Sequence, residues 1–215
     1  MRGLAALVLV AITLSGCGVV GRTSIKTVQM AMQGKPDVHP TTGDVAANRY
    51  PQIKVTGPHG GAVLVLGNVD GNRQAWYSTD RSIVFLEDGL LVGTHGGTPE
   101  LHGMRIDGNN PFHDLRQIRT SITIQRQYDV MPGYRFGMTV TGTLERIGIE
   151  KIEILDATRA LLHVRERLNG QDWKRENHYW VDPGNGFIWK SVQAIAPDAS
   201  LEIIQLKPYS QDLKR

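Results

Sequence analysis

The residue with the clearest chemistry is the chain's one cysteine, Cys17, which directly follows Leu14-Ser15-Gly16. Upstream lie a positive charge at Arg2 and an apolar run from Leu4 to Leu14, the n-region and h-region of an export signal. That run is shorter than the roughly 20 residues a membrane-spanning helix needs. Small residues against a cysteine make a lipobox, in which the thiol takes a diacylglycerol before residues 1–16 are cleaved off. With no second cysteine, an internal disulfide and a cysteine-rich metal site are both excluded. Acylation gives Cys17 a purpose, because several acyl chains are what stable membrane attachment requires. Gly18 follows, where an aspartate would resemble an inner-membrane retention signal of enteric-type bacteria, so the expected destination is the outer membrane.

Other residue types give weaker chemistry. Seven histidines are present, with His95 and His102 flanking a glycine-rich stretch and His113 beyond it, but no pair has the close spacing that puts two imidazoles on one ion. Metal ligation and cofactor binding are therefore not expected. Glu87-Asp88 falls in a turn signal, Glu145, Glu150 and Glu153 alternate along strands, and no Gly-x-Ser-x-Gly elbow occurs, so no catalytic residue is assigned and a non-enzymatic protein is expected. A formal charge of +3, interspersed along the chain, does not argue for nucleic acid. Aromatic residues cluster on hairpins: Trp76, Tyr77, Trp173, Tyr179, Trp180, Phe187 and Trp189. Alternation sends Tyr179 and Trp180 to opposite faces, leaving one outside the core that the other joins. Trp180 and Trp189 are the candidate glycan or partner contacts, weighed against cross-strand packing.

The elements that must carry these residues are mostly strands. Gly18–Arg22 reads as a tether. Ile25, Val28 and Met32 predict a helix over 24–33, stopped by Gly34 and Pro36. A short helical turn is expected over 44–48, with Thr41 or Thr42 as cap. From Pro51 onward, runs rich in Val, Ile, Leu, Thr and aromatics alternate with glycine turns, giving about eleven strands and an antiparallel all-β domain. Hairpins are expected across Asp70-Gly71-Asn72, Glu87-Asp88-Gly89, Asn169-Gly170 and Asp182–Gly186. Residues 96–115 read as a long loop or a seam between halves. Tyr134, Phe136, Met138, Val140 and Leu144 share one parity and predict a common buried face. The apolar parity flips near Glu150, which predicts a bulge or a change of partner.

The segment Tyr179-Trp180-Val181-Asp182-Pro183-Gly184-Asn185-Gly186-Phe187-Ile188-Trp189-Lys190-Ser191 resembles a hallmark of the YjbF/GfcB family of group 4 capsule and exopolysaccharide lipoproteins. Similarities of Ala62–Gly67, Gln74–Ser78 and Asp88–Val92 follow in the same order. The resemblance implies a β-rich outer-membrane lipoprotein that assists polymer secretion or surface assembly, and it brings no catalytic residues. Independently of it, Asp182, Pro183, Gly184 and Gly186 read as a structural turn: Pro183 presets φ, the glycines tolerate positive φ, and Asp182 and Asn185 can bond local backbone.

The expected organisation is a cleaved leader (1–16), a lipid-anchored tether (17–23) and one β-rich domain (24–215) that is either a meander folded on itself or two packed sandwich halves split near 96–116. The expected function is exopolysaccharide or capsule secretion, with the membrane reached through the lipid anchor and polysaccharide or other secretion proteins as partners. The alternative is a periplasmic lipid or lipoprotein carrier with a cavity in a curved sheet.

Overall fold

The computed structural model describes residues 37–214; the leader, Cys17, the tether and the helix expected over 24–33 lie outside them. Helix α1 (Thr42–Ala47) begins with a reciprocal capping box. Thr41 Oγ1 accepts from the Asp44 amide at 3.2 Å and the Asp44 carboxylate accepts from the Thr41 amide at 2.9 Å, so two otherwise orphaned amides are satisfied. Thr42 hydroxyl bonds Asp156, far along the chain.

Twelve strands follow: β1 (Gln52–Gly57), β2 (Gly60–Asp70), β3 (Arg73–Tyr77), β4 (Ile83–Glu87), β5 (Leu90–His95), β6 (Glu100–Asp107), β7 (Ile122–Met131), β8 (Arg135–Ile154), β9 (Ala157–Asn169), β10 (Lys174–Val181), β11 (Ile188–Ala196) and β12 (Ala199–Lys207). They form one sheet in the order β5-β4-β3-β2-β1-β12-β11-β10-β9-β8-β7-β6. Every neighbour within each run is consecutive in sequence except β1 and β12, whose antiparallel ladder joins the two ends of the chain. The sheet's free edges, β5 and β6, are connected only by residues 96–99, so they are held side by side. Across this seam Leu101 N–H donates to Thr94 Oγ1 at 2.9 Å. The result is a nearly closed, barrel-like antiparallel meander.

Alternation along the strands turns one set of residues inward, where Ile53, Trp76, Leu101, Tyr128, Val140 and Tyr179 belong to one continuous core. A second, smaller cluster lies on the outer face: Ile154, Leu161 and Trp189, packed with Ile152, Trp180, Phe187 and Ile204. The β8 bulge explains it. Pairing of β8 with β9 slips between Arg146 and Gly148, so the parity flip expected near Glu150 begins a few residues earlier. Ile152 and Ile154 then join the outer cluster, while Ile147 and Ile149 stand exposed.

Two expectations are corrected. Glu100–Asp107, inside the supposed long loop, is strand β6; a register slip between Leu101 and Gly103 breaks its alternation, and that hides the period. Tyr134 and Phe136 do not share the buried face of Met138 and Val140. Positive φ at Tyr134 (52°) and Gly137 (64°) turns the chain between them, leaving Tyr134 75% and Phe136 54% exposed.

Interior space is limiting where β8 passes β9. A Cβ on Gly142 would overlap Glu166 Oε1 and sit 3.2 Å from Ile124 Cγ1. Gly142→Ala should therefore destabilise the fold by about 1–3 kcal/mol in chemical denaturation, through overpacking. Gly43→Ala, in α1 with only an ordinary contact at 3.7 Å, should be neutral or slightly stabilising.

Candidate functional site

Two polar constellations are built by the strands, one inside the barrel and one outside. The inner one joins Arg126 of β7, Glu166 of β9, and Asn177 and Tyr179 of β10, all at most 1% exposed. Arg126 Nε and Nη2 donate to Glu166 Oε1 and Oε2, each at 2.7 Å. Glu166 Oε2 also accepts from Asn177 Nδ2 at 2.9 Å and from Tyr179 hydroxyl at 3.0 Å. Asn177 Oδ1 in turn accepts from the Ala194 amide of β11 at 2.8 Å. The guanidinium lies 5.0 Å from the Phe112 ring centroid, and its Nη1 faces Met104 Sδ at 3.3 Å. Burial alone would release the arginine's proton more easily; the attraction of Glu166 outweighs it and the pKa is raised. Burial raises Tyr179 well above the usual phenol range and pushes Tyr128 up to about 12. Cut off from solvent and internally satisfied, this group locks β7, β9, β10 and β11 together.

The outer constellation surrounds Trp180. Its indole stacks on His163 of β9, with centroids 4.8 Å apart and planes at 9°, while Lys190 Nζ of β11 sits 5.1 Å from its centroid. Trp180 Nε1 donates to Glu150 Oε2 at 2.8 Å, Glu150 Oε1 faces His163 Nδ1 at 2.7 Å, and His163 Nε2 faces His178 Nδ1 at 2.9 Å. The Trp180 hydrogen bond is the main cause of a lowered Glu150 pKa; burial, then the charge of His163, lower that of His178. Tyr179 and Trp180 thus do face opposite sides of the sheet, Tyr179 inside. Trp189, at a bulge of β11, is 7% exposed. The Arg159 guanidinium lies 3.6 Å from its centroid and Phe187 meets it edge-on at 5.1 Å. Protein side chains therefore cover Trp189 and flank Trp180.

Between them runs the β10–β11 turn. Asp182 N–H donates to Phe187 O at 2.7 Å, Gly186 N–H to Asp182 O at 2.9 Å, and Gly184 N–H to Asp182 Oδ1 at 2.8 Å. Asn185 Oδ1 accepts from the Phe187 amide at 3.0 Å. Of the two glycines in the turn, Gly186 takes positive φ (82°) and Gly184 does not. Arg116 Nη1 reaches Gly184 O, while Arg116 Nε and Nη2 bind Asp114 at 2.7 and 3.0 Å. This bidentate contact holds Asp114 down to about 2. Pro183 opens the turn between Asp182 and Gly184. The Asp114–Arg116 clamp had no recognisable sequence signal beyond its two charges.

The three histidines around residues 96–115 are exposed, with His95 at the end of β5, His102 in β6 and His113 in a short 3-10 turn. His95 and His102 approach Glu100 at 3.5 and 3.9 Å, and His113 approaches Asp88 at 3.1 Å. Among the described residues no group of three or more His, Cys, Asp or Glu side chains is placed to hold a metal ion. At the end of the barrel that carries the β10–β11 turn, a cleft of about 40 Å³ lies between Gln74, Phe112, His113 and Phe187. No helix of the described residues is long and apolar enough to cross a membrane.

The class defined by these features is an antiparallel meander closed through its terminal strands, with a polar lock inside and a patterned outer face. The family described as group 4 capsule polysaccharide lipoprotein GfcB, YjbF matches residues 25–206, and the chain belongs to that family. Among solved structures, the hypothetical lipoprotein YmcC from Escherichia coli K12 shares the fold, with a TM-score of 0.71 at 20% identity over 79% of this chain and 89% of that one. No curated protein matches.

Removing one partner of the inner pair strands a buried charge. Arg126→Met should cost about 3–5 kcal/mol in equilibrium unfolding. Tyr128 is raised in the folded state, so the stability linked to it is complete below about pH 10 and is lost as pH rises from there through about 12. The share of Tyr128 in the fall of unfolding free energy across that window should be roughly 2–3 kcal/mol, so the fall should be less steep in Tyr128→Phe, as followed by circular dichroism.

Proposed function

We propose that the chain is a non-enzymatic lipoprotein of the outer membrane, anchored by acylated Cys17 after loss of residues 1–16, that assists secretion and surface assembly of a capsule or exopolysaccharide. The observation that carries the reading is membership, over residues 25–206, of a family described as a capsule polysaccharide lipoprotein. The fold is consistent with a holding role. Its interior polar groups serve the lock, so what remains for recognition is the outer surface, where polymer or another secretion protein can be engaged without a covalent step. The domain works from the periplasm in this reading, with the anchor restricting it to the membrane where export ends.

The carrier alternative draws less support. Ligand pockets usually enclose roughly 300–1,000 Å³, whereas the cleft at the barrel end offers about 40 Å³, the larger depression beside Arg167 and Lys174 is a shallow, charged groove on the outer face that encloses nothing, and the barrel centre is filled by its apolar core and the Arg126–Glu166 group.

Deleting the gene in its native host and restoring it as wild type or as Cys17→Ala tests the reading. Surface polysaccharide should fall in the deletion strain, polymer should accumulate inside the cell, and only the acylatable form should restore export. Unchanged surface polymer in the deletion strain would overturn it.

A further inference from the structure

The largest aromatic surfaces left uncovered lie at the rim of the barrel, not at the β10–β11 hairpin. Tyr134 and Phe136 meet edge-to-face at 6.3 Å, and His102, bulging from β6, meets Phe136 at 6.2 Å. The patch is built rather than loose. Positive φ at Gly137 lets its N–H donate to Asp129 Oδ1 at 2.6 Å, which fixes Phe136 beside β7. From the patch a band of planar polar side chains runs along the outer face of β6–β8. Arg105 bonds Gln127, Gln127 Nε2 donates to Asp107 Oδ2 at 2.8 Å, and Gln125 Nε2 donates to Thr141 Oγ1 at 3.2 Å. Beyond Thr141 the face opens into a shallow groove of about 510 Å³ bordered by Thr143, Arg167, Asn169, Lys174 and Glu176.

We propose that this outer face, with Tyr134, Phe136 and His102 at its rim, is a binding surface for an extended carbohydrate polymer. A sugar ring has an apolar C–H face and a girdle of hydroxyls. Exposed aromatic rings complement the first by stacking. Carboxylates, amides and guanidinium groups complement the second, because each offers paired donors or acceptors in one plane. Both kinds are adjacent here, and successive rings of a polymer can use them along the strands. A lipid surface fits less well: membrane-binding faces carry an excess of lysine and arginine around their aromatics, whereas here the basic side chains are balanced, Arg105 by Asp107 and Arg167 by Glu145 and Glu176, and Glu100 and Asp129 lie beside the aromatic rim. The inference rests on the export reading and locates its recognition surface.

The test uses the full-length Cys17→Ala chain, which has no acyl group to attach it to lipid, in native gels containing extracellular polysaccharide purified from the host. The polymer should retard this chain. Tyr134→Ala/Phe136→Ala should bind roughly ten-fold or more weakly, and Arg105→Ala/Gln127→Ala several-fold more weakly. Because Tyr134 and Phe136 are exposed, the thermal midpoint of their double variant should be unchanged, which separates lost binding from lost folding. Equal retardation of parent and variants, or retardation of neither, overturns the proposal. It is also overturned if the aromatic variant loses sedimentation with phosphatidylethanolamine–phosphatidylglycerol vesicles while keeping its polymer retardation. The two readings fail separately: an export defect in the deletion strain that is fully rescued by acylatable Tyr134→Ala/Phe136→Ala removes this surface and leaves the export role standing.

Discussion

The Arg126–Glu166 pair is the constraint around which the barrel is arranged. Two opposite charges without solvent are costly unless each finds several partners, and the fold supplies them from four strands. Arg126 comes from β7, Glu166 from β9, Asn177 and Tyr179 from β10, and the Ala194 amide from β11. Strand β8, between β7 and β9, contributes an absence: Gly142 leaves room for the Glu166 carboxylate. A slip of one residue in any of these strands would turn its polar group to the outside and orphan the others. The pair thus specifies register as well as adding energy, a role that buried polar groups fill in some other folds.

With the interior so committed, the two faces of the sheet take different tasks. On the outside, the bulged end of β8 brings Ile152 and Ile154 against Trp189 and Ile204, covering part of β11 and β12. Trp180 is flanked by His163 and Lys190. The outer face of β6–β8 has no such cover, and there aromatic rings and planar polar groups stay open to solvent. In the proposed export role, such a barrel would act through its shape and surface chemistry. The rigid barrel keeps the exposed groups in fixed spacing, which lowers the entropy lost when a flexible polymer settles on them.

Much of this was legible in the sequence. Period-two alternation, the Asn169-Gly170 and Asp182–Gly186 turns, and the opposite facing of Tyr179 and Trp180 all follow from local physics. Closure was less accessible, because the β1–β12 ladder pairs residues from opposite ends of the chain and leaves no local mark. Strand β6 was obscured by its own bulge at His102. The inner lock did leave a trace: Arg126 falls on the same parity as Ile122, Ile124 and Tyr128, and Glu166 on that of Leu162, Val164 and Leu168. A lone positive charge on one inward face and a lone negative charge on another signal a buried pair, provided the strands are known to face each other.

Native-state hydrogen exchange measures most directly whether this pair organises the molecule. The amides of β7, β9, β10 and β11 around Arg126 and Glu166 should exchange last, at the free energy of global unfolding, while the β5–β6 seam opens earlier. A slowest-exchanging core confined to β2–β5, with β9 and β10 opening first, would contradict the account.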